Sequence, residues 1–386
     1  MGRITSKIAE STNGKSFSAF KYSYDTIGLP LNNYDDQVLY SVKENGETIK
    51  YSHTIDLCEK AKKLMIQQRN GANPLFTYFL DGSRRTFKID DISYNKEIFP
   101  IIAGQVGVGC CKRINKQLKI FKYYNKNVIA LPDKSKHNQW DSDLSFNKLL
   151  KDINQILAKT KIKIDDIQIY KTYNLKDEDE IDYDKKGIAV IQTLMIEEEK
   201  QLVAELASNR ILNDSNYLLK DGSLEYRINN KSEDEIKLFR NNYRYVVGVS
   251  KSFNPANCVD EKGRSNTSKI VDLKLYHRTP VSMYTSQYNN NMRFAVWYIR
   301  IRDKQYTYNA YDGILKIEQI LVSDEQFHYG IESDIVDLIS ANIINERNPV
   351  CYGSDMRWAN HLYPVYLTEK YVKSRYIGNT VFMNLF

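Results

Sequence analysis

Apolar residues recur at helical spacing in five stretches of the chain, and short continuous or alternating apolar runs lie between them. Ile55, Cys58, Ala61, Leu64 and Met65 predict a helix over residues 53–69, ended by Asn70-Gly71. Further helices are predicted over 146–157, 186–207, 324–345 and 362–373. In the fourth of these, Phe327, Ile331, Ile335, Leu338, Ile339 and Ile343 form one stripe. Strands are predicted over 75–80, 85–89, 101–111, 118–124, 127–131, 217–220, 245–251, 293–302 and 313–320. Residues 1–45, rich in Ser, Asn, Gly and Tyr, read as an irregular arm, and 254–269 as a polar loop. Strands cluster early and long helices follow, so the expected class is α/β: a mixed β-sheet flanked by helices, with additional N- and C-terminal helical elements.

Punctuation refines this layout. Gly104, Gly107 and Gly109 lie inside an apolar run with no Lys-Ser/Thr pair after them. A glycine-rich central strand is therefore expected in place of a phosphate cradle. The acidic run Lys176-Asp177-Glu178-Asp179-Glu180-Ile181-Asp182 has almost no apolar anchor and reads as a solvated linker near 176–185. The expected organisation is an arm and helix over 1–70 and a main domain over 71–386. The apolar tail, residues 381–386, is read either as a docking peptide or as a segment tucked into its own core.

Composition excludes some classes. At 386 residues with 42% hydrophobic residues the chain can bury a sizeable core, and no run is long and apolar enough to cross a bilayer. Nothing near Met1 resembles an export signal. The five cysteines are odd in number and lack CxxC spacing, which argues against a disulfide framework or structural zinc; a cytoplasmic location is expected. A formal charge of +7 and 29 tyrosines, several beside Arg or Lys, are compatible with a polyanionic partner.

Two apolar runs end on the same tripeptide, Asp81-Gly82-Ser83 and Asp221-Gly222-Ser223. A strand that delivers an aspartate at its last residue places a carboxylate on a rigid element at the rim of a sheet. Two such ends side by side are expected to hold a divalent cation, Mn²⁺ or Mg²⁺, through hard oxygen ligands. The helix before Asp221 offers further carboxylates. Met195, Leu202 and Leu206 form its apolar stripe, and Glu199 sits within that stripe. Glu199 is preferred as a metal ligand, with Glu198 next. Converging carboxylates of this kind suit phosphodiester hydrolysis with two cations held about 3.5–4 Å apart. Arg84 and Arg85 are candidates to grip phosphate, and Lys251 to stabilise developing negative charge. Tyr352 and His361 flank Arg357-Trp358-Ala359-Asn360, and the histidine is a candidate ligand or proton donor.

Together these residues resemble the NurA family of prokaryotic nucleases. The strand ending in Asp81-Gly82-Ser83, the glutamate-bearing helix and the strand ending in Asp221-Gly222-Ser223-Leu224 are similar to that family's metal-binding core. The strand ending in Lys251, and Tyr352 followed by Ala359-Asn360-His361, are also similar, with the histidine one position further on. The resemblance implies an RNase H-like fold and a Mn²⁺-dependent DNase. Asp81, a glutamate at 198 or 199 and Asp221 would then be ligands. It also implies a homodimer docked on a hexameric HerA-type DNA-translocating ATPase, in DNA-end processing or antiviral defence. The alternative is a catalytically silent DNA-binding or assembly subunit of the same complex.

Overall fold

The computed structural model describes residues 2–25, 41–43, 45–136, 142–173, 182–226, 232–286, 292–349 and 358–386. Tyr352 and most of the acidic run fall outside these segments. The elements that matter here are α1 (Arg3–Ser11), α2 (Cys58–Arg69), β1 (Phe76–Tyr94), β2 (Glu97–Ile114), β3 (Gln117–Pro132), α3 (Ser142–Leu157), β4 (Asp166–Tyr170) and α4 (Tyr183–Ser208). They continue with β5 (Tyr217–Asp221), β6 (Val246–Ser250), β7 (Ser282–Thr285), β8 (Arg293–Arg300), β9 (Ile314–Ile320), α5 (Ser333–Asn345), α6 (Tyr363–Ser374) and α7 (Asn379–Met383).

One 14-stranded mixed sheet organises the described residues, in the order β7-β8-β9-β6-β5-β1-β2-β3-β4 along its main path. β1, β2 and β3 form an antiparallel meander. β5 lies parallel to β1, and β6 parallel to β5. Helices cover both faces, as a sheet with parallel strands buried on both sides requires. Alternation along each strand sorts its side chains. Leu80, Leu218 and Val246 enter the core under α4, while Phe79, Leu219 and Val247 enter the core shared with α5 and α6.

The glycines of β2 let helices approach the sheet from both sides. A Cβ on Gly104 would stand 2.9 Å from Ile191 of α4, and one on Gly109 would stand 2.6 Å from Val372 of α6. Both distances are shorter than carbon atoms tolerate, so the absent side chains set how near each helix lies.

Four expectations need correction. Asp81-Gly82-Ser83 does not end a strand: β1 runs on to Tyr94, and Asp81 pairs with Gly109 of β2 in mid-strand. Asp-Gly is a favoured turn dipeptide, but the residues beyond it find a long partner in β2, and pairing overrides the local preference. Residues 118–131 likewise form the single strand β3. The stretch 324–345 splits into Asp324–Tyr329 and α5, because Gly330 takes a positive φ of 79° where the chain passes Gly46. The N-terminal segment is not merely irregular. It forms α1, whose Ile4 and Ile8 are fully buried in a cluster that also holds Phe382 and Phe386. The apolar C-terminal tail is thus packed into the protein's own core.

Candidate active site

Asp81 and Asp221 stand on neighbouring strands. The parallel register that pairs Leu80 with Lys220 brings them level at the next position, where β5 ends. The rim at Asp81 is therefore made by the end of its neighbour, not by its own. After Asp221 the chain turns at Gly222, with a positive φ of 81°. Ser223 Oγ and Leu224 N–H then both donate to Glu318, each at 2.7 Å, which anchors the turn on the opposite face.

By strand alternation Asp81 and Asp221 point to the face covered by α6. There Lys251, directly after β6, places its Nζ 2.8 Å from Asp221 Oδ2 and 3.6 Å from Glu369 Oε2 of α6. The outer oxygen of Glu369 pairs with Lys373 at 2.5 Å, near solvent. Buried Asn360 ties the start of α6 to this edge: its Nδ2 donates to the Lys251 carbonyl at 2.7 Å and to that of Ile314 at 3.1 Å. Asp81 is 4% exposed, and its Oδ2 has no hydrogen-bond partner among the described residues. Burial, then the Asp221 charge, push the Asp81 carboxyl well above the usual carboxylate range, with Lys251 acting in the opposite sense. Burial disfavours the charge on Lys251, but Asp221 and Glu369 outweigh it and raise the ammonium above its ordinary value.

Glu199 occupies the other face. It lies over Gly82, where a Cβ would come within 2.3 Å of its Oε1, and the nearby Gly82 backbone favours its charged form. Lys220 pairs with it at 3.1 Å, and both side chains are 5% exposed. Burial raises the Glu199 carboxyl, and Lys220 partly offsets that rise. The carboxylate gathered with Asp81 and Asp221 around Lys251 is thus Glu369, with Glu199 behind the strand backbone. Glu198 is turned to Lys126 at 2.5 Å, and Glu205 to Lys122 and Tyr124. Arg84 is bound on the α4 side, its Nε donating to Gln192 at 2.5 Å. Arg85 lies on the Asp81 side, 5.1 Å from the ring centre of Tyr376 and bonded to Asn379. His361 is buried one residue beyond Asn360 and stacks on Tyr366 at 5.6 Å.

Glu369 went unnoticed in the sequence although its signal is the one that singled out Glu199. Val365, Thr368 and Val372 form the buried stripe of α6, and Glu369 sits inside it at i+4 from Val365. Tyr376, whose phenol burial pushes up and Asp81 pushes further, was missed as well.

Among the described residues no three His, Cys, Asp or Glu side chains already close around one point as a cage for an ion. Two features nonetheless fit a hard cation. Asp81, Asp221 and Glu369 on this face offer hard carboxylate oxygens, and buried Asp81 Oδ2 lacks a hydrogen-bond partner among the described residues. A separate groove of about 900 Å³ lies between the end of α2 and the β2–β3 turn. Its one carboxylate, Glu346, is already engaged by Arg113, so it holds no comparable chemistry.

Fold and site together define an α/β protein with buried carboxylates and lysines set on both faces of a mixed sheet. No family model matches the chain, and no curated protein matches it. Among solved structures, the crystal structure of the NurA nuclease from Sulfolobus solfataricus is similar at 12% identity and a TM-score of 0.40. The alignment covers 82% of this chain and 86% of that one. No helix among the described residues is long and apolar enough to cross a membrane.

Proposed function

We propose that the chain is a divalent-cation-dependent nuclease that hydrolyses DNA phosphodiester bonds. The observation that carries this reading is the gathering of Asp81, Asp221 and Glu369 on one sheet face, with Asp81 Oδ2 buried and unpartnered. Carboxylates gathered at a largely buried site are costly unless cations compensate them, and Lys251 with the half-exposed Lys373 offsets three acids only in part. The strand order β6-β5-β1-β2-β3, with its antiparallel meander and two added parallel strands, supports the RNase H-like core that the sequence resemblance implies.

In this reading Asp81, Asp221 and Glu369 hold Mn²⁺ or Mg²⁺. The bound cation supplies Lewis acidity at the phosphate and lowers the pKa of a water. Lys251, fixed by Asp221 and by Asn360, keeps a positive charge beside the scissile phosphate. Arg85, on the same face, positions the phosphate backbone. Glu199 with Lys220 shapes the potential from behind the strand. Docking on a HerA-type ATPase, action as a homodimer and a role in end processing or antiviral defence belong to the same proposal.

The ammoniums among the carboxylates favour a second reading, a silent DNA-binding or assembly subunit, because such a cluster is already partly neutralised. Incubation of linear DNA with protein and Mn²⁺, with and without the ATPase, separates the two. Cleavage that falls about a hundredfold or more in Asp81→Asn and Asp221→Asn supports the nuclease. No cleavage under either condition supports the silent subunit.

A further inference from the structure

We infer that Lys251 takes the place of a second cation, so that the site accepts one divalent ion per chain and not the pair expected from the sequence. The inference rests on the nuclease reading above and deepens it. The Lys251 ammonium lies between a strand carboxylate and a helix carboxylate, 2.8 Å from Asp221 and 3.6 Å from Glu369, the bridging position that a second ion would require. It is not a surface lysine swung inward. The residue is 8% exposed, it directly follows β6, and its own carbonyl is held by Asn360 at 2.7 Å.

Charge reaches the same result. Asp81, Asp221 and Glu369 carry three negative charges when ionised, and Lys251 with Lys373 returns up to two, so a single divalent ion already outweighs the remainder. Lys373 meets Glu369 at 2.5 Å from the solvent side and is 44% exposed, so its contribution is weaker than that of buried Lys251. A second divalent ion beside a buried ammonium would meet like-charge repulsion with no carboxylate left to offset it. Glu199 does not extend this site, because it lies behind the strand backbone on the α4 face, over Gly82 and beside Lys220. Asp81 Oδ2, which no hydrogen bond engages, marks the side from which the single ion is bound.

The test is a Mn²⁺ titration of the metal-free 386-residue chain, followed by calorimetry and by electron paramagnetic resonance. Wild type is expected to bind one Mn²⁺ per chain with the six-line spectrum of an isolated ion, and Asp81→Asn to lose that site. Lys251→Met is expected to bind two ions per chain with a spin-coupled spectrum. Two coupled ions in wild type overturn the inference and leave the nuclease reading standing, as does a single ion in folded Lys251→Met. No site sensitive to Asp81→Asn removes the metal reading itself. Should Lys251→Met fail to fold, the wild-type stoichiometry and line shape decide alone.

Discussion

Burial and Asp221 favour the protonated form of Asp81, whereas the proposed role as a metal ligand requires it ionised. A carboxyl raised in the folded state contributes stability below its ordinary pKa of 3.8, and loses that contribution as pH rises through the raised value. The metal-free protein therefore carries this cost at neutral pH. Asp81→Asn removes it and is expected to raise the thermal midpoint of metal-free protein at pH 7.5. Added Mn²⁺ should stabilise wild type and leave the variant unchanged, as differential scanning fluorimetry would show. Glu318 behaves in the opposite way. Burial opposes its charge, but Lys316 at 2.7 Å and donors from Ser223 and Leu224 outweigh it and lower the carboxyl below its ordinary 4.5. Its contribution is present above pH 4.5 and is lost as pH falls through the lowered value. Glu318→Gln is expected to cost about 1–3 kcal/mol at neutral pH and to flatten the acid limb of the stability profile in urea titrations.

At the scale of elements, the site depends on how near α6 and α4 can come to the sheet. A methyl group at Gly109 would meet Val372 at 2.6 Å, and α6 carries Glu369. Gly109→Ala is expected to destabilise the fold by about 1–3 kcal/mol and to lower Mn²⁺ affinity through displacement of Glu369. Adding Val372→Ala should recover both, as paired denaturation and titration curves would reveal. Legibility also differed between elements. Central strands and long helices were readable because hydrophobic periodicity is local, and Asp221 at its strand end was readable for the same reason. The continuity of β1 through Asp81-Gly82-Ser83 was not, because it depends on β2 as a partner. The face on which each carboxylate lies was hidden too. Glu199 and Glu369 sit in equivalent stripes of their helices, and only the crossing of α4 and α6 over opposite faces decides which one joins Asp81.

Across the whole molecule, distant segments are fastened by a few buried charges. Fully buried Arg278 joins Glu47 at 2.8 Å and Asp337 of α5 at 2.7 Å, which ties the N-terminal segment to the far half of the sheet. Arg278→Ala leaves two acids without their cation and is expected to cost about 3–5 kcal/mol in chemical denaturation. The same rule governs the site, where acids from elements more than a hundred residues apart, Asp221 and Glu369, share the buried ammonium of Lys251 on the face that Asp81 also enters. Anomalous diffraction from crystals soaked in Mn²⁺ tests this most directly. The account predicts a peak bounded by Asp81, Asp221 and Glu369 on the α6 face; a peak against Glu199 on the α4 face, or none near these residues, would contradict it.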